Sequence, residues 1–178
     1  YYATAREPDG RHTLARVTTY AAAALALVVA VTSAVADDLV AAMLTSEYWG
    51  AGPVVTIIAM GLACHGLYLL TSVGLNLSSR TTFYPVSTFA AATVGLASGV
   101  WLMPRYGAVG AATAFLLSYA TLAGVAFAFA QRVYPIRYEA GRLARIVAAA
   151  TIAAVMARGM VPDLPPIYGL VARGLATL

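Results

Sequence analysis

A polar stripe recurs along one otherwise apolar segment of the chain, at offsets of three, four and four residues: His65, Tyr68, Ser72 and Asn76. In an α-helix these positions share one narrow arc, because successive residues turn by about 100°. Such a stripe can line a hydrated cavity, where the groups would hydrogen-bond a polar ligand and His65 would also carry a proton. It can equally hold neighbouring helices together, at about 0.6 kcal/mol per contact. The sequence leaves both interpretations open, and both require the stripe to face away from lipid.

Arg80 lies just beyond the stripe, after Ser78 and Ser79. A guanidinium group at this point would bind a phosphate through two parallel hydrogen bonds. A single arginine in a short inner loop is also what the charge asymmetry of membrane proteins predicts. Arg80 is therefore a candidate phosphate ligand with a simple topological alternative.

Small residues further along the chain indicate close helix packing rather than chemistry. Gly95 and Gly99 form a GxxxG pair, which lets another backbone approach closely. Pro104 cannot continue the preceding helix freely, because it lacks an N–H and its ring collides with the turn before it. Gly107 and Gly110 follow within a few residues. Together they predict a tight turn between two closely packed helices.

The sequence carries no recognisable catalytic, metal or cofactor motif. It has no Walker-type phosphate loop, no HExxH, no GxSxG and no paired carboxylates inside an apolar segment. Cys64 is the single cysteine, so it supports neither a disulfide nor a zinc site and is interpreted as a small buried apolar residue. The arginines are scattered singly between apolar runs, which does not indicate nucleic-acid binding. We therefore expect no catalytic residue, no metal, no cofactor and no nucleic-acid partner.

The elements that must position these residues are predicted to be membrane-spanning helices. The 178 residues are 61% hydrophobic and only 10% charged, whereas soluble domains carry about 25% charged residues. A helix needs about 20 apolar residues to cross the bilayer, and the uninterrupted alanine-rich runs lack the alternation of barrel strands. The sequence predicts an all-α, multi-spanning transmembrane helix bundle of five complete spans and a truncated sixth: 17–36, 52–75, 82–103, 107–130, 143–161 and 167–178.

Arginine is distributed unevenly between the two sides that alternating spans would define. One side receives eight arginines: Arg6, Arg11, Arg16, Arg80, Arg132, Arg137, Arg142 and Arg145. The other side receives two arginines and four carboxylates: Arg105, Arg158, Asp37, Asp38, Glu47 and Asp163. Because arginine is enriched on the cytoplasmic side, the amino end of the chain is predicted to be cytoplasmic.

The segment between the first two spans, Asp37 to Ala51, is too polar to cross a bilayer and too apolar for a free loop. We expect it to lie along the outer membrane surface, with Asp38 capping a short helix through Leu44. Tyr48 and Trp49 are aromatic residues of the kind that settle at headgroup depth.

Three stretches resemble bacterial polysaccharide exporters of the Wzx type, in the multidrug/oligosaccharidyl-lipid/polysaccharide flippase superfamily. PRYGAVGAATAFLLSYA, Pro104 to Ala120, is similar to the outer turn and following helix of that family. Leu44 to Tyr68 is similar to its short outer segment and next span, and Gly74 to Pro104 to its arginine-bearing inner loop and following helix. Full members have two lobes of about six helices each. The resemblance implies that residues 1–178 are a fragment of a longer protein and supply most of its carboxy-terminal lobe.

The resemblance also implies a function and its partners. The substrate would be a polyprenyl-diphosphate-linked oligosaccharide, moved across the bacterial cytoplasmic membrane by alternating access for surface polysaccharide assembly. The partners would be this lipid, the bilayer, the amino-terminal lobe and other polysaccharide-assembly proteins, and the protein would be a transporter rather than an enzyme. One alternative is a cation-coupled drug exporter of the same superfamily, which should need a carboxylate inside a span. Another is a multi-spanning polymerase or ligase, which would normally have a large catalytic outer loop.

Overall fold

Three long helices and one short helix form the part of the chain that the structure, a computed structural model, describes, namely residues 10–77 and 83–133. They are α1, Gly10–Met43; a 3-10 helix, η1, Ser46–Ala51; α2, Gly52–Leu77; and α3, Phe83–Val133. No strand occurs among these residues, which confirms the predicted all-α class for this part of the chain. Each of the three long helices contains a segment long and apolar enough to cross a membrane, which fits a membrane protein.

The third helix, α3, doubles back on itself at Gly107. Its 51 residues are too many for one crossing, since about 20 suffice, and Gly107 interrupts them with φ 55° and ψ −128°. The two arms, 83–106 and 108–133, then run antiparallel. A Cβ at Gly95 would lie 2.9 Å from Ser118 Oγ, and one at Gly99 would lie 3.9 Å from Ala114 Cβ. Residues that lie closer to the turn in one arm therefore face residues that lie closer to it in the other. We call this helix pair the α3 hairpin.

Helix α2 lies between α1 and the α3 hairpin. A Cβ at Gly66 would lie 2.8 Å from Leu25 of α1, and one at Gly61 would lie 2.7 Å from Phe115 of the second arm. Because glycine has no side chain at these two positions, α2 can approach both neighbours closely.

The first helix continues further than the sequence pattern predicted. The expectation that the first span ends at Ala36 and that Asp38 caps a separate short helix is wrong, because α1 runs unbroken through both aspartates to Met43. Asp38 is only 8% exposed, and the carboxylate of Asp37 abuts Gly52, the first residue of α2. The amino end of a helix favours a nearby negative charge, so the aspartates are accommodated against the bundle without ending α1.

The predicted number of spans is not supported by the described residues, which contain three long apolar helices. The predicted spans 17–36 and 52–75 fall within α1 and α2, and the spans 82–103 and 107–130 fall largely within the arms of the α3 hairpin. The predicted fifth and sixth spans, 143–161 and 167–178, lie outside the described residues.

Helix lengths place charged residues at two ends of this bundle. Arg16 lies nine residues before Leu25, which contacts Gly66, so it falls level with the carboxyl end of α2. Arg132, at the end of the second arm, lies at the same end. Glu47 of η1 and Arg105 beside the hairpin turn lie at the opposite end. For these described residues the placement follows the predicted asymmetry, and the cytoplasmic location of the amino end stays a prediction.

Candidate functional site

The polar stripe of α2 faces the α3 hairpin. The ring of His65 lies against the ring of Tyr119 in the second arm, with their centroids 4.9 Å apart in an edge-to-face arrangement. About two helical turns further along α2, the main-chain carbonyl oxygen of Ser72 accepts a hydrogen bond of 3.0 Å from the hydroxyl of Tyr84 in the first arm. The side chain of His65 therefore contacts the second arm, and the main chain at Ser72 contacts the first arm, so this side of α2 faces the hairpin.

Four rings form a continuous group at this interface, which we call the aromatic cluster: Tyr68, His65, Tyr119 and Phe115. Tyr68 stacks on His65 at 5.8 Å with an interplanar angle of 24°, and Phe115 meets Tyr119 edge to face at 4.7 Å. Aromatic pairs at such separations each contribute about 0.5–1.5 kcal/mol beyond the area they bury. Within the cluster, the His65–Tyr119 pair joins α2 to the second arm, while the other two pairs each lie within one helix.

His65 carries an unused polar atom inside this cluster. Its Nδ1 is buried and makes no hydrogen bond within the described residues. A buried polar atom left without a partner costs about 1–3 kcal/mol. Among the described atoms of the stripe, Nδ1 therefore has the most to gain from a polar ligand.

The hydroxyl group of Ser72 is already engaged within its own helix. It donates to the carbonyl oxygen of Leu69 at 2.8 Å. The neighbouring hydroxyl of Thr71 likewise contacts the carbonyl oxygens of Leu67 and Tyr68, both at 3.0 Å. Because the proton of Ser72 is used, its hydroxyl oxygen can serve a ligand only as an acceptor.

The remaining two candidates are placed only in part. Asn76 lies in the last turn of α2, and its side chain lies outside the described residues. Arg80 also lies outside the described residues, in the connection between α2 and α3. The structure therefore brings His65, Tyr68 and Ser72 to one interface and leaves the predicted roles of Asn76 and Arg80 as predictions.

The small residues singled out in the sequence lie along the inner face and turn of the α3 hairpin. A Cβ at Gly110 would overlap the carbonyl group of Leu102, so the arms approach backbone to backbone near the turn. The hydroxyl of Ser118 donates to the carbonyl of Ala91 at 2.9 Å and joins the arms further along. Pro104 does not end the first arm, which continues to residue 106 before Gly107 reverses the chain.

A groove of about 730 Å³ runs along one side of the hairpin. It is lined by small, large apolar and aromatic residues from both arms: Gly95, Leu96, Gly99, Val100, Met103, Pro104, Ala111, Ala114, Phe115, Ser118 and Tyr119. His65 does not line it, but Tyr119 and Phe115 belong both to the groove and to the aromatic cluster. A molecule in the groove would therefore touch the rings that hold His65.

Sequence reasoning missed three residues of this site: Tyr84, Phe115 and Tyr119. Phe115 and Tyr119 are four positions apart and so share one helix face, a spacing visible in the sequence. That spacing does not reveal which neighbouring helix they meet. Tyr84 donates to a main-chain carbonyl. Every residue has such a carbonyl, so the sequence does not show which one accepts the hydrogen bond.

No group of three or more His, Cys, Asp or Glu side chains suited to a metal ion occurs in the part of the chain that the structure describes. Comparisons of the chain with models of protein families, with curated proteins and with solved structures find no match. The resemblance to polysaccharide flippases is therefore carried by the quoted sequence motifs alone and stays a prediction.

Proposed function

We propose that this chain forms most of the carboxy-terminal lobe of a transporter that moves polyprenyl-diphosphate-linked oligosaccharide across the bacterial cytoplasmic membrane. The observation that carries the proposal is the buried, unpartnered Nδ1 of His65 within a polar stripe that faces neighbouring helices. A glycan headgroup offers hydroxyl groups that can donate to such an atom while its lipid tail stays in the bilayer. The full transporter would contain two lobes and further spans, 143–161 and 167–178 among them.

The direct test is the sidedness of the lipid-linked oligosaccharide in the source bacterium. Deletion of the full-length gene should leave the oligosaccharide on the inner leaflet, protected in spheroplasts from a membrane-impermeant glycosidase. Complementation with the full-length gene should restore exposure. Unchanged sidedness after deletion would eliminate the export function.

His65→Phe separates a polar role from a packing role. Phenylalanine keeps an aromatic ring against Tyr119 but removes both ring nitrogens. We expect the protein to remain folded and transport to fall about tenfold, the effect of one lost hydrogen bond of about 1.4 kcal/mol. Thr113→Val is the matched control, because the Thr113 hydroxyl donates to the carbonyl of Val109 within its own helix. Full transport by His65→Phe would reduce His65 to a packing residue.

Cation-coupled drug export is the second candidate. It needs a carboxylate inside a span, and the continuation of α1 to Met43 places Asp38 inside a helix. The first span was predicted to end before Asp38, but Asp38 lies within α1 and is buried. A buried carboxylate near the end of a span can exchange a proton or sodium for a cationic drug. On this alternative, Asp38→Asn should abolish export of a cationic dye while leaving oligosaccharide sidedness unchanged; the flippase proposal predicts that deletion of the gene leaves dye export unchanged.

A further inference from the structure

The end of the bundle that contains the hairpin turn also contains η1. Gly61 of α2 contacts Phe115 of the second arm. Gly52 lies nine residues before Gly61, and Gly107 lies eight residues before Phe115. At a rise of about 1.5 Å per residue, both lie roughly 12 Å beyond that contact. The start of α2, the preceding η1 and the turn at Gly107 therefore end at one level.

Four large aromatic side chains are exposed at this level or within about two helical turns of it. Tyr48 and Trp49 lie on η1 and are 57% and 56% exposed, and Trp101 and Tyr106 lie near the end of the first arm and are 59% and 60% exposed. Tryptophan and tyrosine concentrate where hydrocarbon meets headgroups, because their rings are apolar and their N–H or O–H remains hydrated. If the helices span a bilayer, this level is where its headgroups meet the protein.

Arg105 occupies the same level and is held by one of these rings. Its guanidinium carbon lies 4.3 Å from the centroid of the Trp101 ring, a cation–π contact. Arg105 is exposed and forms no ion pair with a carboxylate in the described part of the chain. This contact restrains the position of the guanidinium group over the ring, and its N–H donors match a phosphate in bidentate geometry.

We propose that Arg105, held on the face of Trp101, binds the phosphate of an anionic phospholipid at this surface of the membrane. Among the described residues, the other charged side chains at this level, Asp37, Asp38 and Glu47, are acidic, so Arg105 is the only one of these groups that can pair with an anionic headgroup. The neighbouring aromatic residues lie at the depth where that headgroup begins. The site requires only that the helices span a bilayer and does not depend on what the protein transports.

The test measures the affinity of the full-length protein, purified in neutral detergent, for dioleoylphosphatidylglycerol through the rise in its thermal unfolding midpoint. Arg105→Gln should bind this lipid about fivefold more weakly than the wild type, as expected for loss of a surface charge pair. Trp101→Leu should weaken binding less, and Arg105→Lys should retain part of it. Arg132→Gln is the matched control, since Arg132 is also exposed but lies at the opposite end of the bundle.

Each outcome decides the proposal. Equal affinity of Arg105→Gln and the wild type would overturn it, as would an equal loss in Arg132→Gln, which would indicate a general charge effect. Glycerol phosphate, tested at the same concentration, distinguishes the lipid from a free anion. It should produce no shift, and a shift equal to that of the lipid would overturn the assignment to a membrane headgroup.

Discussion

At the scale of single residues, His65 shows how one side chain can serve both packing and ligand binding. One part of its ring contacts Tyr68 and Tyr119, while its buried Nδ1 makes no hydrogen bond within the described residues. The ring contacts are satisfied without a ligand, but the nitrogen is not. This difference explains why removal of the nitrogen, rather than of the ring, is the informative change.

Gly107 gives a residue-scale prediction about the hairpin turn. Its φ of 55° is a conformation that L side chains rarely adopt, yet a Cβ there would meet no atom within 4 Å. Gly107→Ala should therefore lower stability by about 2 kcal/mol through backbone strain alone. The measurement is the midpoint of thermal unfolding in a mild detergent.

Gly124→Ala is the control for this prediction. Gly124 lies within the second arm, and a Cβ there also meets nothing within 4 Å. Alanine in a helix is favoured over glycine by about 0.5–1 kcal/mol, so this variant should be at least as stable as the wild type. Equal midpoints for the two variants would show that the backbone at Gly107 is not strained by a side chain.

At the scale of elements, the apolar runs predicted which segments are helical but not where each helix ends. Runs of apolar residues correspond to α1, α2 and both arms because backbone groups must be satisfied internally in hydrocarbon. The end of α1 was predicted too early, because two adjacent carboxylates, Asp37 and Asp38, are typical of a loop after a membrane span. Their accommodation depends on the start of α2 lying beside them, which is a tertiary contact.

Gly95 and Gly99 form the GxxxG pair of the first arm, but they are predicted to tolerate alanine differently. A Cβ at Gly95 would lie 2.9 Å from Ser118 Oγ, whereas one at Gly99 meets Ala114 at an ordinary 3.9 Å. Ser118 cannot move away freely, since its hydroxyl donates to the carbonyl of Ala91. Gly95→Ala should therefore be less stable than Gly99→Ala by about 1–2 kcal/mol.

The two variants control each other, because both exchange glycine for alanine within one helix. Ser118→Ala provides a further check, since it removes the hydroxyl that obstructs the new methyl group. We expect Gly95→Ala to cost less in the Ser118→Ala background than in the wild type. An unchanged cost would mean that the hydroxyl of Ser118 is not what restricts Gly95.

At the scale of the whole molecule, the sequence predicted that the stripe faces protein but not which residues it faces. The ring of His65 and the main-chain carbonyl of Ser72 contact different arms of the α3 hairpin, because the reversal at Gly107 brings Tyr84 and Tyr119 beside α2. The spacing within each helix is local, whereas the rotation of one helix against another depends on packing along its whole length. The aromatic cluster could therefore be anticipated from α2 only in part.

The reversal at Gly107 also predicts which residues share a side of the membrane. In a Cys64→Ser background, which removes the single cysteine of the chain, Glu47→Cys and Tyr106→Cys should both react with a membrane-impermeant maleimide added to intact cells. Arg132→Cys should react only after permeabilisation, because it lies at the other end of the second arm. The arm of about 26 residues is long enough to separate the two ends by a full bilayer. If Tyr106→Cys behaved like Arg132→Cys and unlike Glu47→Cys, the two arms would not cross the membrane as a hairpin, and the contacts of α2 with both arms at His65 and Ser72 would lose their structural basis.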